Sequence, residues 1–288
     1  MKKAVLFSNH FRAFDYTVDY FLDYFGEDTD YFIYCWDTEY DFYNVEELIN
    51  ILANTEKSRS VYPAQEQYKI NKGKSAFKPL DTVKAEESIL KKIPSAKIKW
   101  VSNTDFFNWF KDIDIKKSKD SYSNLYKLGF FYILSKGFEH FLKNSQEYDL
   151  IFRARFDCIP FEKQWRTDDN TLFVEKVRIN NGIPWVADQF FYGTHSTFKN
   201  LFLNLNIKLN DLANTPPYSD TYEKLLFQEM LGSIVALSKL NIRESKINTS
   251  FIRKEVIDRG KNINNREYLD KITWLYQYLQ RTLKWRQQ

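Results

Sequence analysis

The residues best suited to chemistry stand close together at Arg153-Ala154-Arg155-Phe156-Asp157. Read as part of a strand over residues 148–160, their side chains alternate between faces. Leu150, Phe152, Ala154, Phe156 and Cys158 fall on one apolar face, and Ile151, Arg153, Arg155 and Asp157 on the other. A strand this apolar belongs inside a sheet covered on both sides. Two guanidinium groups and a carboxylate are costly there unless something pairs with them. Asp157 pairs one arginine and leaves one positive charge over. An anion bound where the strand leaves the sheet would balance it, and open α/β folds bind ligands at that end. A buried Arg–Asp–Arg network that only fixes packing uses the same residues, and both readings stand on the strand alone.

The elements that must position these groups alternate between strand and helix. A short apolar strand over residues 3–7 runs into Ser8-Asn9-His10-Phe11-Arg12. A helical pattern follows over 14–25, with Tyr16, Tyr20, Phe21, Tyr24 and Phe25 on its inner face. A second strand over 31–36 ends at Trp36-Asp37, and Asn44 is placed to cap a helix through residue 52. This order and spacing indicate a parallel sheet with crossover helices, an α/β fold. Residues 55–80 break the rhythm with Pro63, Gly73 and Pro79, and read as a long loop or insertion near the ligand side. Next come a helix over 82–92, a strand over 97–101 and a short helix capped by Ser102 or Asn103. The longest helix begins at Ser121, reaches about residue 143 and feeds the Arg153–Asp157 strand. Strands are expected over 171–177, 185–193 and 241–248, and helices over 196–205, 221–240 and 266–285. The expected organisation is a catalytic domain over 1–250 with a C-terminal helical extension over 251–288.

Composition narrows the chemistry. The chain has 288 residues, 43% of them hydrophobic and 28% charged, in the range of soluble globular proteins. No run approaches the apolar length of a membrane span, and the opening strand turns polar at Ser8, which suggests a cytoplasmic protein. A net charge of +4 is too small and dispersed to indicate nucleic acid as a partner. The lysines between residues 69 and 92 are interrupted by acids and lack ordered spacing. Cys35 and Cys158 both fall in expected strands and read as small core residues. Aromatic residues make up 18% of the chain, which we attribute to a Lys/Asn/Phe/Tyr-rich composition rather than to a stacking surface. The eight glycines form no G-x-G-x-x-G and no G-x-x-x-x-G-K-[ST], so dinucleotide and P-loop readings lack support. A G-x-S-x-G elbow and protein-kinase signatures are also missing. His10, His140 and His195 show no metal-ligand spacing with cysteine. What is left is an α/β protein working through arginines, carboxylates and loop backbone groups.

Several stretches then line up with one family. The chain resembles the GT-A-type glycosyltransferases, and is similar to the lipopolysaccharide-synthesis (WavE-like) group of bacteria and phages. Such proteins open with a strand and a small-residue loop ending in arginine, matched by Ser8-Asn9-His10-Phe11-Arg12. A Trp-Asp pair ends their second strand, matched by Trp36-Asp37. A helix with Ser and Tyr at its start leads to a Tyr-Asp-hydrophobic-Arg-x-Arg-x-Asp strand, matched by Ser121-Tyr122 and Tyr148 to Asp157. Asp188-Gln189-Phe190-Phe191-Tyr192-Gly193-Thr194 and the late acid Glu223 complete the pattern. The usual glycine of the first loop is absent, and Phe156 stands where proline usually precedes the aspartate.

The resemblance implies a GT-A-like, mostly parallel central sheet flanked by helices, a nucleotide-sugar donor and a glycan, lipid-linked or polymeric acceptor. Arg153 and Arg155 would donate to the leaving diphosphate. Asp157 matches the last carboxylate of the family's Asp-x-Asp metal site and would hold Mn²⁺ or Mg²⁺ with phosphates and waters. Ser8, Asn9, Arg12 and Tyr122 would line the donor, with Asp37 accepting from the ribose or base. Arg12 paired to Asp15 on the surface is an equal reading. Asp188 is the candidate base or acceptor orienter, and Gln189 would hold a sugar hydroxyl. Glu223 would bind the donor sugar or act only as a first-turn helix acid. The basic, amphipathic stretch over 271–286 either packs on its own domain or rests on an anionic membrane. A non-catalytic nucleotide- or carbohydrate-binding protein of the same fold is the alternative to an enzyme.

Overall fold

The computed structural model describes residues 1–11, 14–40, 77–112, 121–144, 146–160, 165–180, 183–214, 227–245, 247 and 249–251. A seven-stranded sheet runs through them, built from β1 (Lys3–Asn9), β2 (Thr29–Trp36), β5 (Lys97–Val101), β6 (Leu150–Ala154), β8 (Thr171–Val174), β11 (Phe191–Gly193) and β12 (Asn241–Glu244). Their order is β12-β8-β11-β6-β1-β2-β5. β1 pairs parallel with both β2 and β6, and β2 with β5. β11 is antiparallel to β6 and β8, and β12 is parallel to β8. The sheet is therefore mostly parallel, as the strand–helix alternation indicates.

Alternation along the strands supplies both faces. Ala4, Leu6, Phe32, Tyr34 and Ile151 enter one core beneath α3 (Asn103–Asp112), α4 (Ser121–Asn144), α5 (His195–Asn214) and α6 (Phe227–Leu237). Val5, Phe7, Ile33, Leu150 and Phe152 enter the other, beneath α1 (Phe14–Phe25) and α2 (Thr82–Lys92). Most of the aromatic content is consumed in these two layers, as in the 4.9 Å edge-on contact of Phe7 with Phe21. Cys35 and Cys158 are both buried, as expected of core residues.

Three differences from the sequence reading concern the site. The stretch expected as one strand over 185–193 is divided between two. β9 (Val177–Asn180) and β10 (Ile183–Val186) form a hairpin of their own before β11 begins. Part of the expected long loop is ordered as β4 (Phe77–Pro79), antiparallel to β3 (Thr38–Tyr40) just beyond β2. The strand after α4 ends at Ala154; a turn follows, then β7 (Cys158–Pro160), paired with β13 (Thr249–Phe251). The expected helix after Asn44 and the 266–285 helix, with its membrane contact, lie outside the described residues. Among the described residues no helix is long and apolar enough to cross a membrane.

The β9–β10 hairpin is seated on α6 at Gly232, where an added Cβ would fall against the Pro184 carbonyl. Gly232→Ala is expected to cost about 1–3 kcal/mol through overpacking, read as a lower denaturant midpoint. Stability should also depend on pH. Burial, assisted by Lys99, holds His140 below its ordinary pKa, and its Nδ1 lies 2.8 Å from the Tyr34 hydroxyl. Burial lowers His195 in the same way, and its Nδ1 has no hydrogen-bond partner. With folded values below the unfolded value of about 6.5, the unfolded chain binds more protons once the pH drops past 6.5. The contribution is therefore complete above that value and disappears as pH falls through the folded ones. Urea midpoints should decline from pH 7.5 to 5, and the double change His140→Gln, His195→Gln should flatten the decline.

Candidate functional site

The chain lays β2 and β5 to one side of β1, then crosses over and lays β6 on the other side. Strand order thus reverses between β1 and β6, and crevices outside the carboxyl ends at such a point bind ligands in open α/β sheets. Ser8 and Asn9 end β1 there, and Arg155 follows β6. Because β11 runs against β6, the residues entering it, Asp188 and Gln189, arrive at the same edge. Asp37, which follows β2, lies along that edge as well.

Arg153 is the deepest charge. Its position on β6, between β1 and β11, leaves it 0% exposed. Nε donates to Ser8 Oγ at 3.0 Å and Nη2 to the Ser8 carbonyl at 2.9 Å. Nη1 donates to the carbonyls of Asp188 and Gln189. The guanidinium also lies 4.9 Å from the centre of the Phe130 ring, a cation–π contact. Burial pushes its pKa down, to about 9, with Asp188 opposing. These contacts correct the expectation that Arg153 meets a donor phosphate. It ties the β1 loop to the β11 entry.

Arg155 and Asp157 sit on the turn that closes when the Cys158 amide donates to the Arg155 carbonyl at 3.2 Å. Phe156 between them is stacked on Phe7 at 4.1 Å and meets Phe14 and Phe11 edge-on. That anchor keeps Phe156 with Leu150, Phe152 and Ala154 in one core cluster, as the alternation predicts. Arg155 then clasps Asp157 with two hydrogen bonds, Nε to Oδ1 at 2.8 Å and Nη2 to Oδ2 at 2.9 Å. Its Nη1 is 3.8 Å from Asp188 Oδ2. Burial opposes the Arg155 charge, but Asp157 and Asp188 outweigh it and hold its pKa above the ordinary arginine value. Asp188 therefore supplies the carboxylate missing from the sequence count. Two arginines and two aspartates sum to zero, and the left-over positive charge expected from the strand alone is already matched.

The four groups lie at different depths. Side-chain exposure is 10% for Arg155 and 7% for Asp188, against 1% for Asp157. All are buried, Arg155 and Asp188 less completely than Asp157. Nearby, Asn9 Oδ1 accepts from the His10 amide at 2.8 Å. Asp37 Oδ1 accepts from the Asn103 amide at 2.9 Å, a cap on the first residue of α3. Gln189 is half-buried beside Asp188. Arg12, Glu223 and the side chain of Tyr122 lie outside the described residues. The sequence reading missed the pairing of Asp188 with Arg155, which only the antiparallel entry of β11 creates.

These residues do not fit the expected metal ion. Both oxygens of Asp157 are occupied by the Arg155 guanidinium. A cation 4 Å from that fixed charge is repelled by roughly 4 kcal/mol per unit charge at an effective dielectric of 20. Among the described residues no three His, Cys, Asp or Glu groups are placed to share a metal. No protein-family model and no curated protein matches the chain.

Removing the deepest charge is the sharpest check on this geometry. Arg153→Met would strand the carbonyls of Ser8, Asp188 and Gln189 and unbalance the two acids. Chemical denaturation should show a loss of about 3–5 kcal/mol, recovered only in part by Arg153→Lys, whose single ammonium cannot span both loops.

Proposed function

We propose that the chain is a glycosyltransferase of GT-A type, moving a sugar from a nucleotide-sugar donor to a glycan, lipid-linked or otherwise polymeric acceptor. One observation carries the reading: Arg155 and Asp188, the least buried of the four clustered charges, meet at the carboxyl edge where the strand order reverses. The mostly parallel sheet, helices on both faces and the Ser8–Asn9 loop agree with the resemblance drawn from the residues.

In this reading the nucleoside lies along the Ser8–Asn9 loop and Asp37, with the diphosphate toward Arg155. The bond from the sugar to the diphosphate oxygen breaks, and its electron pair leaves with the diphosphate. A fixed guanidinium stabilises that developing charge with two-pronged hydrogen bonds. The acceptor hydroxyl forms the new bond to the sugar carbon, and its proton passes to the Asp188 carboxylate. Gln189, next in the chain, is placed to hold a sugar hydroxyl. Arg153 sets the loop and the Asp188 backbone without touching the substrate. Asp157 holds Arg155 in its orientation.

Thermal-shift screening against UDP, GDP, CMP and dTDP sugars tests the donor half. One nucleotide series should stabilise the wild type, and Arg155→Lys should lose most of that shift. Asp188→Asn should keep the shift while transfer falls about 10²–10⁴-fold. A chain that none of the sugars stabilises would refute the reading. Stabilisation without any transfer or donor hydrolysis would instead mark a non-catalytic nucleotide-binding protein.

A further inference from the structure

We infer that diphosphate binding at this edge of the sheet requires no divalent cation, because the Arg155 guanidinium holds the place between the two carboxylates that such an ion would need. The inference rests on the glycosyl-transfer reading and deepens it. Its grounds are the directions of the hydrogen bonds. Arg155 presents Nε and Nη2 to the two oxygens of Asp157 at 2.8 and 2.9 Å, and Nη1 faces Asp188 Oδ2 at 3.8 Å. The positive centre bridging the acids is thus built into the chain.

Charge and depth point the same way. A carboxylate site that awaits a hard cation is anionic until the ion arrives, and its oxygens are open to it. Here Arg153 and Arg155 already neutralise Asp157 and Asp188, and the Asp157 side chain is 1% exposed behind Arg155. An ion reaching Asp157 would have to displace a two-bond clasp and leave a guanidinium without its partner. A diphosphate needs neither step. On the proposed reading it meets Arg155, whose side chain is the least buried of the four and whose planar donors match phosphate oxygens. Asp157 is then a positioning residue, acting on substrate only through the orientation of Arg155.

Isothermal titration of inorganic pyrophosphate into the full chain, in EDTA and again with Mn²⁺, tests this. The expected affinities agree within about twofold, and water-proton relaxation should detect no Mn²⁺ bound to the protein alone. Arg155→Lys should weaken binding by about tenfold or more in both buffers, as loss of a two-pronged contact implies. Asp157→Asn, which removes one carboxylate charge and the two-bond clasp on Arg155 together, should change binding by the same factor with and without Mn²⁺, since no cation stands on Asp157. Circular dichroism of each variant establishes that it is folded, and the wild-type pair of titrations stands without the variants. Binding that appears only with Mn²⁺, and loses that dependence in Asp157→Asn, overturns the inference and leaves glycosyl transfer standing. Absence of binding in both buffers overturns the inference and removes the support for glycosyl transfer with it.

Discussion

A guanidinium group taken wholly out of water must find an acceptor for each donor and a counter-charge within reach. Arg153 imposes that requirement at the middle of the sheet, and the architecture around it is the answer. β1 must end close enough to offer Ser8 through both its hydroxyl and its carbonyl. The entry to β11 must bring two more carbonyls from the opposite side. Aromatic rings from α4 and β11 close the space over the flat face of the group. Segments far apart in the chain are joined because one charge has nowhere else to go.

The neighbouring arginine shows how much position decides. Arg153 and Arg155 are the same residue type two places apart, so strand periodicity puts them on one face. One is flanked by strands on both sides; the other lies past the end of β6 and keeps an outer edge. The first can only hold structure together. The second, on the proposed reading, meets the ligand while Asp157 stays behind it. The guanidinium planes look equivalent in a list of residues, and burial gives them different work.

Much of this was legible beforehand, and the reasons are physical. Apolar alternation in Ala4–Phe7, Tyr31–Trp36 and Leu150–Ala154 marked strands buried on both faces, because few other structures satisfy such runs. The Arg-x-Arg-x-Asp spacing marked the buried charge cluster, since charges in an apolar strand are rare without partners. The end of β6 was not legible. Arg155-Phe156-Asp157-Cys158 contains neither glycine nor proline, and the turn is set by the ring contacts of Phe156 rather than by local propensity. The hairpin before β11 was missed although Asn181-Gly182 carries the composition of a two-residue turn. Asp188 was singled out as a base, but its partnership with Arg155 depends on an antiparallel pairing that no local pattern encodes. For the same reason the charge count taken from one strand was off by one acid.

The aromatic seat of Phe156 has one more consequence. A loop that carries a binding group usually has to be ordered when the ligand arrives, and the entropy lost subtracts from affinity. Here the turn is pinned by rings from β1, α1 and the segment between them before anything binds. Arg155 stands preorganised on a rigid peg, so the diphosphate recognition proposed for this edge would be closer to lock-and-key than to induced fit.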